Sequence, residues 1–218
     1  ANCGLHAPLS VNFTGTHVLS RLVSCPTPKT YGGPDPVSAV VSGTCLDKAG
    51  NGTLASFPLK YDATAPQAAA TPSRQPNANG WYNALLSVGF SGVDETSGIG
   101  SCDPAKTYSA PDSTNVALSG ECLDLAGNRS PTASFGFKYD ATAPTVGTPV
   151  PTRPEDRAGW YNRPVAFAVQ GTDETSGISS CPPQSYAGPD SSTASFAGTC
   201  FDKAGNSGTR SFALKYDA

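Results

Sequence analysis

The chain has no methionine, two histidines and two tryptophans among its 218 residues, and only 14% of the residues are charged. Its net charge of -3 leaves no basic surface of the kind that nucleic-acid backbones require. No apolar run approaches the roughly 20 residues of a membrane-spanning helix. Because methionine is absent, we expect Ala1 to follow a removed segment rather than to be an initiator residue. We therefore expect no nucleic-acid partner and no membrane span.

What the chain has in abundance is turn-forming residues. It contains 23 glycines and 20 prolines, which favour turns and short strands and interrupt helices. The composition predicts an all-β chain.

One pattern occurs three times along the sequence. Each copy has a cysteine, a second cysteine about twenty residues later, the motif Asp-x-Ala-Gly-Asn, and a last strand that ends in Lys-Tyr-Asp. Corresponding residues lie 77 to 79 positions apart, the size of one small β domain. We predict domains at 1–63, 64–141 and 142–218, called repeats one, two and three below. Repeat one is degenerate and its first strand is missing from the sequence.

Six of the seven cysteines form pairs of constant spacing that do not match zinc or redox motifs. The predicted disulfides are Cys25–Cys45, Cys102–Cys122 and Cys181–Cys200. Each closes a loop of about twenty residues, which stabilises a domain by roughly 3 kcal/mol. Disulfides indicate an oxidising, extracellular compartment. Cys3 is left over, and either it pairs with another molecule or it stays an unpaired thiol.

Alternation with a period of two predicts which strand residues face inward. The predicted inward residues of the strand before the second cysteine are Ala39, Val41, Gly43, Val116, Leu118, Gly120, Ala194, Phe196 and Gly198. In the last strand they are Phe57, Leu59, Tyr61, Phe135, Phe137, Tyr139, Phe212, Leu214 and Tyr216. Two half-buried sheets can face each other across these stripes. The predicted fold is three tandem immunoglobulin-like β-sandwiches, each with one disulfide.

Several motifs recur outside the strands. They are Gly-Trp-Tyr-Asn at 80–83 and 159–162, Asp-Glu-Thr-Ser-Gly-Ile at 94–99 and 173–178, and the linker Asp-Ala-Thr-Ala-Pro at 62–66 and 140–144. Together they resemble the bacterial immunoglobulin-like repeats of surface and secreted proteins, related to the hyalin-repeat type. The resemblance covers repeats two and three and implies a module of an adhesin, a stalk or a secreted enzyme. Repeat one departs from it, with Gly-Leu-His at 4–6 and His-Val-Leu-Ser-Arg-Leu at 17–22.

Oxygen ligands cluster at the expected domain junctions, where Ca²⁺ stiffens tandem domains. The candidate ligands are Asp94, Glu95, Asp124, Asp140, Asp173, Glu174 and Asp202. Asp and Asn also close tight turns by bonding their own backbone. The calcium and turn interpretations both remain open.

Other candidate sites are weaker. Trp81 and Trp160 either form an aromatic platform for sugars or pack at the entry to a core strand. His6 and His17 have no repeated partner, and no catalytic triad or carboxylate pair recurs. We therefore expect no enzymatic activity.

The sequence predicts a non-enzymatic extracellular structural module, a stalk or fibre segment of a bacterial cell-surface or secreted assembly, with polymerisation into a filament as a further expectation. The alternative is an adhesin or accessory module that binds a glycan or protein through its loops. Expected partners are further repeats of the same polypeptide, copies of the chain, or a host or surface glycan or protein. We expect no required cofactor, and Ca²⁺ is the candidate ion.

Overall fold

The computed structural model describes residues 4–218, so the prediction for Cys3 lies outside the described residues. Its regular elements in this range are 22 strands. The all-β prediction is therefore confirmed. Residues 4–218 contain no helix that is long and apolar enough to cross a membrane.

The strands follow the repeats. In repeat one they are β1 (Leu9–Val11), β2 (Leu22–Ser24), β3 (Lys29–Tyr31), β4 (Ala39–Asp47) and β5 (Gly52–Leu59). In repeat two they are β6 (Gln67–Pro72), β7 (Trp81–Tyr82), β8 (Leu86–Val93), β9 (Ile99–Cys102), β10 (Lys106–Tyr108), β11 (Ser113–Gly120), β12 (Cys122–Asp124) and β13 (Ala133–Tyr139). In repeat three they are β14 (Thr145–Val146), β15 (Val150–Pro151), β16 (Trp160–Tyr161), β17 (Val165–Ala168), β18 (Gly171–Thr172), β19 (Ile178–Ser180), β20 (Gln184–Tyr186), β21 (Ser191–Asp202) and β22 (Ser207–Tyr216).

By compactness the chain divides into two units. Unit 1 comprises Ala1–Thr71, Val88–Ala105 and Ser119–Phe135, and unit 2 comprises Pro72–Ser87, Lys106–Leu118 and Gly136–Ala218. The limits of the units fall inside repeat two. The three-domain division at 1–63, 64–141 and 142–218 stays a prediction.

Unit 1 contains the sheets β1-β3, β2-β4-β5 and β9-β12. Ala39, Val41, Leu59 and Tyr61 form a buried cluster, as the alternation predicts. The prediction is wrong for Phe57, which is 45% exposed. In repeat three, β22 is the counterpart of β5, and β14 packs against β22. Within residues 4–218, repeat one has no strand that corresponds to β14.

Unit 2 contains the sheets β14-β18, β15-β17-β20 and β16-β22-β21-β19. Its core combines aliphatic and aromatic side chains, including an aromatic contact between the sheets that contain β17 and β21. Phe167 is fully buried and stacks on Phe196 with ring centroids 4.3 Å apart. The remaining sheets of repeat two have the strand orders β10-β8-β6 and β11-β13-β7.

Three disulfides join the cysteines that the spacing pairs. They are Cys25–Cys45, Cys102–Cys122 and Cys181–Cys200, with Cα–Cα distances of 4.1, 4.0 and 4.2 Å. Closing a loop of about twenty residues restricts the unfolded chain. Each repeat therefore contains one covalent cross-link.

A short parallel pairing fixes the last aspartate of each repeat. The backbone N–H of Asp62 donates to the carbonyl of Leu5 at 2.9 Å, and that of Asp140 donates to the carbonyl of Tyr82 at 2.9 Å. Asp217 repeats the bond to Tyr161 at 3.0 Å. The aspartate after each last strand is therefore held by the same backbone hydrogen bond in all three repeats.

Candidate functional site

The first component of the site is the loop at 94–98. The Asp94 Oδ1 accepts hydrogen bonds from the backbone N–H groups of Ser97 at 2.8 Å and Gly98 at 2.9 Å. Gly98 has a φ of +80°, a left-handed conformation that glycine adopts without a steric penalty. The loop is therefore closed by the aspartate carboxylate itself, as the turn interpretation expects.

The second component is the Asp-x-Ala-Gly-Asn loop at 124–128. The Asp124 Oδ1 accepts from the N–H of Asn128 at 2.8 Å, and the Asp124 Oδ2 accepts from the Asn128 Nδ2 at 2.7 Å. Asp124 is 4% exposed. The motif thus buries a carboxylate and supplies its hydrogen-bond donors within five residues.

Asp62 completes this site from the end of repeat one. Its Oδ1 accepts from the N–H of Thr64 at 3.0 Å and its Oδ2 from the N–H of Ser97 at 3.1 Å. The Asn128 Nδ2 donates to the Asp62 carbonyl at 2.9 Å. We call Asp62 with the loops 94–98 and 124–128 junction one.

Junction two repeats the arrangement with Asp140 and the loops 173–177 and 202–206. The Asp140 Oδ2 accepts from the N–H of Ser176 at 3.1 Å, and the Asn206 Nδ2 donates to the Asp140 carbonyl at 3.0 Å. Asp140 is fully buried. Two junctions with the same donors and acceptors indicate that the repeated motifs serve the contact between consecutive repeats.

Each junction gathers three carboxylates. The groups are Asp62, Asp94 and Asp124 in junction one and Asp140, Asp173 and Asp202 in junction two, and in each group carboxylate oxygens lie within 4.8 Å of one another. In both groups two of the aspartates are buried. Such clusters can hold a hard divalent cation.

The grouping of carboxylates in junction two affects the pKa of Asp140. Burial raises the pKa of Asp140, and the charges of Asp173 and Asp112 add to this effect, against hydrogen bonds from Ser176 and Thr142. A nearby cation or a bound proton would relieve the repulsion among like charges. Without a cation nearby, the raised pKa favours the protonated form of Asp140.

The predicted glutamates take no part in these clusters. Glu95 and Glu174 are exposed, and Glu174 lines an open cleft of about 350 Å³ beside Asp173, together with Asp112. Asp62 lies at the predicted domain junction, although it is not among the seven candidate ligands. The repeated linker Asp-Ala-Thr-Ala-Pro gives Asp62 and Asp140 the same position in the sequence.

The linker at 140–144 also donates hydrogen bonds to Asp112, which lies outside junction two. The Ala141 N–H donates to the Asp112 Oδ1 at 2.8 Å. The Thr142 hydroxyl donates to the Asp112 Oδ2. Burial raises the pKa of Asp112, but the hydrogen bonds from Thr142 and Ala141 outweigh it and hold the pKa below its usual value. Thr64 and Asp35 form the equivalent bond at 2.5 Å.

Repeat one contains the same two loops with different residues. His17 stands where Asp94 stands in repeat two, and its Nδ1 accepts from the Ser20 N–H at 3.1 Å. Asp47 accepts from the Asn51 Nδ2 at 2.9 Å. Hydrogen bonds from the side chain and the backbone of Asn51 are the main causes that lower the pKa of Asp47 to about 2. We call the loops 17–21 and 47–51 the terminal loop pair.

The grouping of His17, Ser20 and Asp47 differs from a catalytic triad. The Ser20 Oγ bonds both the His17 Nδ1 and the Asp47 Oδ2 at 2.9 Å, while the His17 Nε2 lies 3.8 Å from the same carboxylate. In a triad the imidazole stands between the hydroxyl and the carboxylate. Here the hydroxyl bonds the carboxylate directly, so the imidazole does not relay its proton.

A cleft of about 220 Å³ adjoins the terminal loop pair and is lined by Gly15, Cys45 and Thr53, among others. Gly171, the counterpart of Gly15 in repeat three, pairs with Val146 of β14. The cleft therefore corresponds to the place that β14 fills in repeat three.

The tryptophans lie at the entry of core strands. Trp81 is 6% exposed, with the Lys138 Nζ 5.3 Å from its ring centroid. The Lys215 Nζ lies 5.9 Å from the ring of the half-buried Trp160. A lysine over each ring is a cation–π contact, and this geometry favours the packing interpretation over a sugar platform.

The fold and the site define an all-β chain of disulfide-containing repeats with carboxylate clusters where repeats meet. No protein-family model and no curated protein matches the chain. Among solved structures it is similar to fibronectin(III)-like modules of Clostridium thermocellum CbhA, with a TM-score of 0.32 and 13% identity over 64% of this chain and 89% of that chain. It is also similar to a structure from a 1.5-MDa bacterial ice-binding adhesin, with a TM-score of 0.37 and 12% identity over 88% of this chain and 79% of that chain. At these TM-scores neither similarity assigns a function.

Proposed function

We propose that the chain is a non-enzymatic, extracellular structural module, a stalk or fibre segment of a bacterial cell-surface or secreted assembly. The observation that carries this proposal is the junction, built twice with the same hydrogen bonds around Asp62 and Asp140. A buried linker aspartate held by two loops limits the movement of consecutive repeats. Three disulfides support an extracellular location.

Hydrogen exchange tests whether the junctions are fixed. We expect the N–H groups of Ser97 and Ser176, which donate to the buried aspartates, to be protected as strongly as strand amides. Exchange of these amides at the rate of an unfolded peptide would contradict a stalk.

Calcium is the proposed cofactor of the junctions. Three carboxylates in each cluster offer hard oxygen ligands, which are the ligands that Ca²⁺ takes in proteins. Bound Ca²⁺ would replace repulsion among the aspartates with attraction to a shared cation. We propose one ion at each junction.

Isothermal titration of the chelator-treated chain with Ca²⁺ tests this assignment. The variants Asp94→Asn and Asp173→Asn keep an oxygen that accepts the loop hydrogen bonds, and each should abolish one of two binding events. The matched control combines Glu95→Gln with Glu174→Gln, which removes two charges outside the clusters and should retain both events. If the chain binds no Ca²⁺, or if the aspartate variants bind Ca²⁺ as the unchanged chain does, the junctions are hydrogen-bonded turns without calcium.

The alternative function is an adhesin, and the cleft of repeat one favours it. The cleft presents Thr14, Thr16, Asn51 and Thr53, and hydroxyl and amide groups are suited to hydrogen bonds with a glycan. A glycan array probed with the chain and with Thr53→Val tests this function. Specific binding that Thr53→Val weakens would support the adhesin, and binding to no glycan would favour the stalk.

A further inference from the structure

The sheet β2-β4-β5 of repeat one carries aliphatic side chains on its outward face. On β4 the alternation of buried and exposed residues turns Val40 and Leu46 outward, and they are 59% and 43% exposed. Leu54 of β5 is 65% exposed, and Val23 of β2 is 58% exposed. Pro58 of β5 is exposed as well. We call these five residues the apolar face.

The strand register makes the apolar face continuous. Val40 lies opposite Pro58, and Leu46 lies opposite Gly52. A Cβ at Gly52 would lie 3.2 Å from the Leu46 Cδ2, so this leucine reaches over β5 beside Leu54. The outward residues between these positions are uncharged, namely Ser42, Thr44 and Ser56. The face therefore extends about 20 Å along β4 without a charge at its centre.

The counterparts of the apolar face in repeat three are mostly small or polar. By strand register they are Ser179, Ser195, Phe201, Thr209 and Ala213. All five are exposed, although β14 packs against β22 in that repeat. The outward direction of these positions is therefore a property of the sheet, and their aliphatic character distinguishes repeat one from repeat three.

The exposed Lys, Arg, Asp and Glu side chains of residues 4–63 are all cationic. Four basic residues are exposed in this range, namely Arg21, Lys29, Lys48 and Lys60. The three carboxylates of the range are buried or half-buried, namely Asp35, Asp47 and Asp62, and each accepts a hydrogen bond. The surface of repeat one is therefore positive, although the whole chain has a net charge of -3.

Two of these lysines border the apolar face. The Lys29 Nζ donates to the carbonyl of Ser42 at 2.7 Å, and Ser42 is one of the outward residues of β4. Lys60 is exposed and follows Pro58 by two positions, so alternation gives it the same outward direction. A lysine can lay its apolar stem along such a face and keep its ammonium group at the border.

This combination fits the surface of a lipid bilayer with anionic headgroups. Ammonium groups attract the headgroup phosphates, and exposed aliphatic side chains enter the boundary between headgroups and acyl chains. A soluble polyanion would pair with the cations and leave the aliphatic side chains in water. The apolar centre of the face therefore favours a bilayer over a polyanion.

We propose that the apolar face of repeat one docks on a lipid bilayer that exposes anionic headgroups. Lys29 and Lys60 bind headgroup phosphates, and Val40, Leu46 and Leu54 enter the boundary below them. Docking of this kind is attachment to the surface of the bilayer and requires no membrane-spanning segment. The inference goes beyond the stalk function, and it requires neither calcium nor fixed junctions.

Co-sedimentation of the 218-residue chain with sucrose-loaded vesicles tests the docking. One set of vesicles contains phosphatidylglycerol and phosphatidylcholine, and the other contains phosphatidylcholine alone. A chelator is present so that Ca²⁺ does not bridge the aspartates to the phosphates. We expect binding to the anionic vesicles, binding weaker by about tenfold or more to phosphatidylcholine, and release at high salt, which screens the lysines.

Replacing aliphatic residues tests the apolar part of the contact. Val40→Ser with Leu54→Thr introduces the residues that repeat three has at these positions, so the sheet accepts them. We expect the partition coefficient to fall by about tenfold, because less apolar surface leaves water. The matched control makes the same changes outside repeat one, Val150→Ser with Leu85→Thr, at two positions that are each 60% exposed, and should bind like the unchanged chain.

Removing charge tests the cationic border. Lys29→Gln with Lys60→Gln should lower binding to the anionic vesicles by about tenfold or more. Its control, Lys203→Gln with Arg210→Gln, removes two exposed cations of repeat three and should leave binding unchanged. Thermal unfolding followed by circular dichroism checks that each variant is folded.

Three outcomes would overturn the proposal. The first is a chain that does not bind the anionic vesicles at millimolar lipid. The second is binding that the control pairs weaken as much as the variants of the apolar face and its border do. The third is binding that Val40→Ser with Leu54→Thr leaves unchanged and that soluble polygalacturonate abolishes, because the partner would then be a polyanion.

Discussion

Asn206 donates a hydrogen bond from its Nδ2 to the backbone carbonyl of Asp140, 66 positions earlier, at 3.0 Å. Asn128 and Asp62 form the same bond across the same separation. The asparagine of each Asp-x-Ala-Gly-Asn loop therefore closes its own loop and also holds the end of the preceding repeat. This double role explains why one short motif serves both turn formation and the junction.

Asn206→Ala should weaken junction two. The variant loses the side-chain bonds to Asp140, Thr142 and Asp202, and we expect unfolding free energy to fall by about 1–3 kcal/mol. Denaturant unfolding followed by tryptophan fluorescence measures this, because Trp81 and Trp160 both lie in unit 2. Asn51→Ala is the matched control in unit 1 and should leave the fluorescence transition in place. An unchanged transition in Asn206→Ala would show that this asparagine contributes only to its own loop.

The loss of folding stability at acid pH should depend on Asp47. Hydrogen bonds, chiefly from Asn51, lower its pKa in the folded chain to about 2, against about 3.9 in an unfolded chain. A lowered folded pKa stabilises the fold above the unfolded value, and this contribution is lost as the pH falls from about 4 to 2. Carboxyl NMR titration should find the low pKa, and Asn51→Ala should raise it. A normal pKa for Asp47 in the unchanged chain would contradict the hydrogen bonding seen here.

The disulfides should contribute strongly to stability. Replacing both Cys181 and Cys200 with serine opens a loop of 19 residues, and we expect a loss of roughly 3 kcal/mol in unfolding free energy. Tryptophan fluorescence reports this loss in unit 2. Peptide mapping without reductant should recover the three pairs, and any link between cysteines of different repeats would be inconsistent with the fold.

Gly208→Ala should displace β14. A Cβ at Gly208 would clash with the Pro144 carbonyl oxygen, so the backbone must move, at a cost of about 1–3 kcal/mol or more. At Gly136 a Cβ would meet its nearest neighbour, the Val116 carbonyl oxygen, at 3.9 Å, which makes Gly136→Ala the control. Fluorescence-detected unfolding should separate the two, and equal stabilities would mean that β14 is not held against β22.

The sequence by itself determined the all-β class, the inward faces of most strands and the cysteine pairing. These features depend on alternation within one strand or on spacings of about twenty residues, so a single repeat contains the information. Only the tertiary structure decided that Asp62 joins Asp94 and Asp124 while Glu95 stays outside, because the partners come from different repeats and the loop turns successive side chains in different directions. It also decided that Phe57 is exposed, since burial of a strand face depends on which other strand covers it, and local alternation does not specify that strand.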